Sequence, residues 1–169
     1  MSERSTGAFE GRVLGVDHLT LPVGDLEVAE RFYVGVLGAE VVMKVDREFV
    51  RRVMPASKEP ERHLHTSVRL GKGPRLDLFP QEDGQPRADQ AHPHLAFEVR
   101  PEDLVELTAA LNARGIPTDG PRRLGPPGQA SVYFNDPFGN HLELTCMEFA
   151  GEVKMGPPDV ASYAYEWRG

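Results

Sequence analysis

With 169 residues the chain has the length of one ordinary domain, or of two small modules built round a shared core. Its 40% apolar and 27% charged composition is that of a water-soluble fold, and no apolar run approaches the roughly 20 residues that span a bilayer, which argues against membrane insertion. A net charge of −7 opposes attraction to nucleic acid or to anionic membranes, so the expected partner is a small molecule. The polar start, Met1 to Glu10, lacks the basic and apolar segments of a signal peptide, and a lone Cys146 makes no internal disulfide; both fit a reducing cytosol.

Residues 1–12 read as an N-terminal extension. From Val13 to Val23, Leu19, Leu21 and Val23 alternate with His18, Thr20 and Pro22, the pattern of a strand with one face on a helix, and His18 falls on the other face. Asp25 offers an N-cap, residues from Leu26 through Phe32 and Tyr33 to Leu37 follow helical spacing, and Gly38 suits the stop. Strands are predicted near Ala39 to Asp46, Leu64 to Leu70 and Arg75 to Phe79, with a polar, proline-bearing loop from Arg47 to Arg62 after the first. Arg47, Arg51 and Arg52 in that loop, and Arg122 with Arg123 further on, can hold an anionic part of a substrate, although solvated surface arginines are the commoner outcome.

The second half repeats the order. A strand from about His92 to Val99 leads to Pro101 at a helix start, with Leu104, Leu107 and Leu111 on one face and Gly115 as the stop. Strands near Pro117 to Arg122, Ala130 to Asn135 and His141 to Met147 complete it. Each half therefore reads βαβββ: module 1 over 13–80, module 2 over 91–147, together one α+β domain over 13–147 with a tail over 148–169. In that tail Tyr163, Tyr165 and Trp167 stand at i, i+2, i+4, the spacing of an extended segment laid on the body or on a partner subunit, or of a mobile end.

Two short patterns recur. His-Leu-x-[Leu/Phe]-x-Val occurs at His18 to Val23 and at His94 to Val99, and Gly-x-x-Leu-[Asp/Glu]-Leu occurs at Gly73 to Leu78 and at Gly139 to Leu144. Strand parity puts His18, Asp77, His94 and Glu143 on the faces away from the helices, whereas Cys146 points into the core with Leu142 and Leu144. If the duplicated fold brings equivalent positions together, two imidazoles and two carboxylates meet at one divalent metal. Nitrogen and oxygen donors without thiolate suit Zn, Ni, Co, Mn or Fe(II), and leave coordination positions open for substrate.

The stretches Val16-Asp17-His18-Leu19-Thr20-Leu21, His94-Leu95-Ala96-Phe97 and Asp136-Pro137-Phe138-Gly139-Asn140-His141-Leu142-Glu143-Leu144 resemble the vicinal oxygen chelate superfamily. That group contains glyoxalase I, methylmalonyl-CoA epimerase, extradiol dioxygenases, fosfomycin-resistance enzymes and bleomycin-binding proteins. The resemblance spans about Val13 to Met147. It implies the glyoxalase/bleomycin resistance/dioxygenase fold, paired βαβββ modules whose curled mixed sheets form a metal-binding cleft, commonly in a homodimer. It also implies His18, Asp77, His94 and Glu143 as ligands of one divalent metal per site. Asp77 departs from the pattern, since glyoxalase I usually has Glu there and the epimerases Gln; one methylene shorter, it leaves a set of two His and one carboxylate if it falls short.

The resemblance implies three activities. In a glyoxalase-like lyase or isomerase, the metal chelates vicinal substrate oxygens and Glu143 or Asp77 removes a proton, giving an enediolate. In an extradiol-type ring-cleaving dioxygenase using Fe(II) or Mn(II), Tyr133 faces the cleft beside Ser131. The His expected a few residues before that tyrosine is replaced by Leu124-Gly125-Pro126-Pro127-Gly128, so His141, His65 or His92 would substitute; otherwise His63 and His65 read as a polar edge and His141 as a solvated neighbour of the site. A bleomycin-resistance-type protein would sequester its ligand without catalysis. Arg69, Arg75 and His141 share the cleft parity and are the candidate substrate contacts.

Overall fold

The computed structural model describes residues 16–53, 64–81 and 94–166. The first residues of the strand predicted from Val13, together with His63, His92 and Trp167, lie outside them. Module 1 runs β1 (His18–Val23), α1 (Leu26–Tyr33), β2 (Glu40–Val45), α2 (Arg47–Val53), β3 (His65–Arg69) and β4 (Arg75–Pro80). Module 2 runs β5 (His94–Glu98), α3 (Leu104–Ala113), β6 (Asp119–Arg123), β7 (Ala130–Asn135) and β8 (His141–Cys146), and a short β9 (Lys154–Met155) follows. The sheets have the orders β1-β4-β3-β2 and β5-β8-β7-β6-β9. In each the first strand lies parallel to the last strand of its module, with matching registers: Thr20 opposite Asp77, and Ala96 opposite Glu143. The sequence repeat is thus a repeat of hydrogen-bonded geometry.

Local chemistry explains most boundaries. Asp25 Oδ1 accepts hydrogen bonds from the Glu27 and Val28 amides at 2.8 and 2.9 Å, closing the N-terminus of α1. Beyond α1 the chain turns at Gly38, where φ is +71°, a conformation that costs glycine little. The loop expected from Arg47 to Arg62 is corrected at its start, because its first seven residues form α2. Asp46 Oδ1 accepts from the Phe49 amide at 2.8 Å, and Val50 is the buried residue of the helix, which packs against β2. One buried position in seven gives no visible periodicity, so charge masked the helix.

The tail lies on the body. Lys154 and Met155 pair with Arg122 and Arg123 of β6, and the Asp159 amide donates to Asp119 Oδ2 at 2.7 Å. A single 3-10 turn at Val160–Tyr163 then buries Tyr163 edge-on against His141, and Tyr165 Oη donates to the Asn135 carbonyl at 3.1 Å.

Both modules bury their helix-facing sides in one apolar core, which joins Leu21, Phe32 and Leu78 of the first to Leu104, Phe134 and Leu142 of the second. Inside it Tyr33 Oη donates to Asp136 Oδ2 at 2.9 Å. Asp136 also accepts from the Phe138 and Asn140 amides and from Asn140 Nδ2, which in turn reaches the Pro22 carbonyl at 2.8 Å. Burial raises the pKa of Asp136 despite these donors, and burial together with the Asp136 charge holds that of Tyr33 well above the phenol value. With the helix sides on the shared core, each sheet's other face, its outward face, lies away from that core, although Asp77, Ser131 and Glu143 on it are themselves buried. Tyr33→Phe removes one donor from a buried carboxylate and leaves three, so it is expected to cost about 1–3 kcal/mol, measured as a lowered urea midpoint with unchanged m-value.

Candidate metal centre

On the outward face of module 2, β5 and β8 bring His94 Nε2 to within 2.9 Å of Glu143 Oε2. The parallel register makes this contact, since Glu143 is opposite Ala96 and its carboxylate leans along the strand toward His94. The other oxygen, Oε1, accepts from the Ser131 hydroxyl. Ser131 is held in turn by Gln129 Nε2 at 2.5 Å and lies 3.1 Å from Thr145 Oγ1. Tyr133 sits edge-on to His94 with ring centroids 6.0 Å apart. Burial, then the Glu143 charge, raises the Tyr133 pKa, so its hydroxyl stays protonated at neutral pH.

His141 corrects the expectation of a solvated neighbour. It is buried, with Nδ1 2.8 Å from Asn135 Oδ1 and the Tyr163 ring on its edge. The tail, whose register on the body the sequence does not reveal, covers it. Asn135 was missed as a site residue; its place opposite His141 on the paired strand was the available signal.

The equivalent positions in module 1 are arranged differently. Asp77 is gripped by Arg75, whose Nε and Nη2 lie 2.7 and 3.2 Å from its two carboxylate oxygens. His18, half-exposed, turns to Asp17, with Nδ1 2.8 Å from Oδ1. The hydrogen bond from His18, followed by the Arg75 charge, lowers the Asp17 pKa. At Asp77 burial pushes the pKa up, but the Arg75 hydrogen bonds and the Arg75 charge oppose it and the net shift is downward. The difference between the modules lies two residues before each carboxylate. Module 1 has Arg75 there, long enough to fold back on a short aspartate, whereas module 2 has His141, held by Asn135. Arg69 stands at the exposed end of β3, opposite Glu40, and His65 stacks on Phe79 with centroids 4.5 Å apart.

The structure therefore joins His94 to Glu143 and leaves His18 and Asp77 on the other sheet; among the described residues no three His, Cys, Asp or Glu gather into a metal-binding group. The donor set of module 2 still fits a cation. Two ligand atoms each about 2.1 Å from a metal and at right angles lie about 3 Å apart, close to the His94–Glu143 separation. Cys146, buried on the opposite face with its pKa raised by burial, takes no part.

Duplicated βαβββ modules, each with an imidazole on its first strand and a carboxylate on its last, define the class of fold. Residues 15–144 match the glyoxalase/bleomycin resistance protein/dioxygenase superfamily, and the chain belongs to that family, the vicinal oxygen chelate proteins. The chain is 26% identical over 133 residues to metallothiol transferase FosB of Bacillus licheniformis, covering 79% of this chain and 75% of that one. Its fold is similar to that of a variant of the fosfomycin resistance protein FosX from Listeria monocytogenes, solved with Mn(II) and 1S,2S-dihydroxypropylphosphonic acid (TM-score 0.61, 23% identity, 80% and 93% of the two chains). The integron cassette protein HFX_CASS4, from the mobile metagenome of the Halifax Harbour sewage outfall, is similar too (TM-score 0.60, 24% identity, 80% and 100%).

Because Asp77 ionises more readily folded than unfolded, its contribution to stability is present above the ordinary carboxylate pKa of about 3.9 and is lost as pH falls through its lower folded value. Acid unfolding of Asp77→Asn is expected to have a shallower limb below that pH than wild type, and parallel limbs would show that the Arg75 pair is not formed in solution.

Proposed function

We propose that the chain is a divalent-metal-dependent enzyme that adds a nucleophile, a thiol or water, to a small oxygen-bearing electrophile, and that it works as a homodimer. His18 of one copy with His94 and Glu143 of the other would hold the cation, which when bound supplies Lewis acidity toward a substrate oxygen. The arrangement across copies is supported by the outward direction of both ligand-bearing faces, which the shared core keeps apart within one chain. Ser131 orients Glu143, and Tyr133 offers a protonated hydroxyl to substrate.

The observation that carries the reading is the Arg75–Asp77 pair. For a glyoxalase-like isomerisation Asp77 would have to be free to take a carbon-bound proton, and a carboxylate held by a bidentate guanidinium with its pKa lowered is a poor base; Glu143, the other candidate base, is committed in this reading to the cation. Nucleophilic addition has no such requirement, and the likeness to metallothiol transferase FosB points the same way. A phosphonate-bearing epoxide such as fosfomycin is the first substrate to test. A second reading, ring-cleaving dioxygenase, is favoured by the fixed His141 and by Tyr133 beside His94, and oxygen uptake by Fe(II)-loaded protein with catechols would select it.

With Mn(II)-loaded protein, fosfomycin and cysteine, glutathione or water, phosphorus NMR is expected to show an adduct or a diol. Glu143→Gln should lower kcat/KM by about 100-fold or more, while Asp77→Asn stays within about tenfold of wild type. Loss of activity in Asp77→Asn, with metal content retained, would restore the proton-abstracting alternative.

A further inference from the structure

Helix α2 is an addition to the βαβββ repeat, and it packs against β2, the edge strand of the module 1 sheet. Beneath it is a cleft of about 560 Å³ whose lining includes Val42, Met43, Glu48, Phe49, Arg52 and Arg75. That volume is in the range of small-molecule sites. Arg75 is opposite His18 in the β1–β4 register, so one end of the cleft borders the proposed metal position. Phe49 and Arg52 are three residues apart and share a helix face, and the Arg52 guanidinium lies over the Phe49 ring, 5.9 Å from its centroid.

The charges around the cleft are unequally committed. Lys44, which also lines it, is bonded to Glu30 at 2.6 Å, Asp46 caps α2, and Arg75 is bound to Asp77. Arg52 and Glu48 are the lining charges that α2 itself carries. A guanidinium within cation–π range of an aromatic ring keeps its N–H donors available, and that planar fork matches the oxygens of a phosphonate or carboxylate. In a chain of net charge −7, such a local cation is what lets an anionic substrate settle.

We infer that Arg52, braced by Phe49, is a substrate-contacting residue that holds the anionic group of the substrate, with Val42 and Met43 against its apolar part. This rests on the proposal above that His18, opposite Arg75 in module 1, helps to hold the cation at which substrate binds. Glu48 opposes the anion, so Arg52 and Glu48 have effects of opposite sign.

The test uses metal-free wild-type protein and methylphosphonate, followed by calorimetric titration, so that its outcome is separate from turnover of fosfomycin. Saturable binding is expected, weakened about tenfold in Arg52→Gln, partly restored in Arg52→Lys and strengthened in Glu48→Gln, with melting temperatures unchanged. Equal affinity in wild type and Arg52→Gln, or no binding by wild type, overturns the inference. Arg52-dependent binding without turnover of any phosphonate would sustain it while removing the proposed reaction; turnover with a KM that ignores Arg52 would do the reverse.

Discussion

Both modules press their helix-facing sides into a single apolar core, and the Tyr33–Asp136 hydrogen bond inside it ties α1 of the first module to the turn between β7 and β8 of the second. That turn carries the chain into the strand holding His141 and Glu143, so a contact made for packing also sets the origin of the candidate site. Burying a large side chain such as Phe32 contributes about 1.5–3 kcal/mol, and a dozen such positions leave little freedom in how the modules meet. The consequence is geometric. Faces opposite a shared core lie apart within one chain, which is what supports the proposal that their ligands meet across copies.

Against this near symmetry, one departure supports the proposed chemistry. Glu143 and Asp77 occupy equivalent places in equivalent registers. Glu143 has a neutral hydroxyl on one oxygen and an imidazole on the other, an environment from which a cation can take over the imidazole's place. Asp77 has a bidentate guanidinium. Displacing it would leave an arginine without its partner on a partly buried face, a cost that favours keeping the pair and using three protein ligands. Additions to the repeat then differentiate the modules further, with α2 on module 1 and the tail on module 2.

Much of this was legible in the residues. Strand alternation placed His18, Asp77, His94 and Glu143 on the faces away from the helices, and Asp25 marked the start of α1, because these signals depend on neighbours close in sequence; the helical spacing to Leu37 overran, since α1 ends at Tyr33 and Gly38 closes the turn after it. The duplicated motifs anticipated the matching registers. What escaped was set by contacts at a distance or by very short elements. A seven-residue helix with one buried valine looks like a charged loop, and β9 has only two residues. His141 looked solvated because nothing in its own strand shows that Tyr163, 22 positions on, closes over it. The capture of Asp77 by Arg75 was visible as a spacing of two on one strand face, but both residues had been assigned to metal and substrate.

The central claim, that one metal site draws His18 from one copy and His94 with Glu143 from the other, is tested most directly by mixing two inactive variants. His18→Ala and His94→Ala homodimers each lack a ligand at both sites. In a heterodimer of the two, a shared arrangement leaves one site with every ligand and the other with neither histidine. The account predicts that unfolding the variants together, refolding with Mn(II) and isolating the heterodimer restores about one tightly held metal per dimer, with activity to match. A heterodimer as empty as its parents would show that each chain builds its site alone, and would contradict the account.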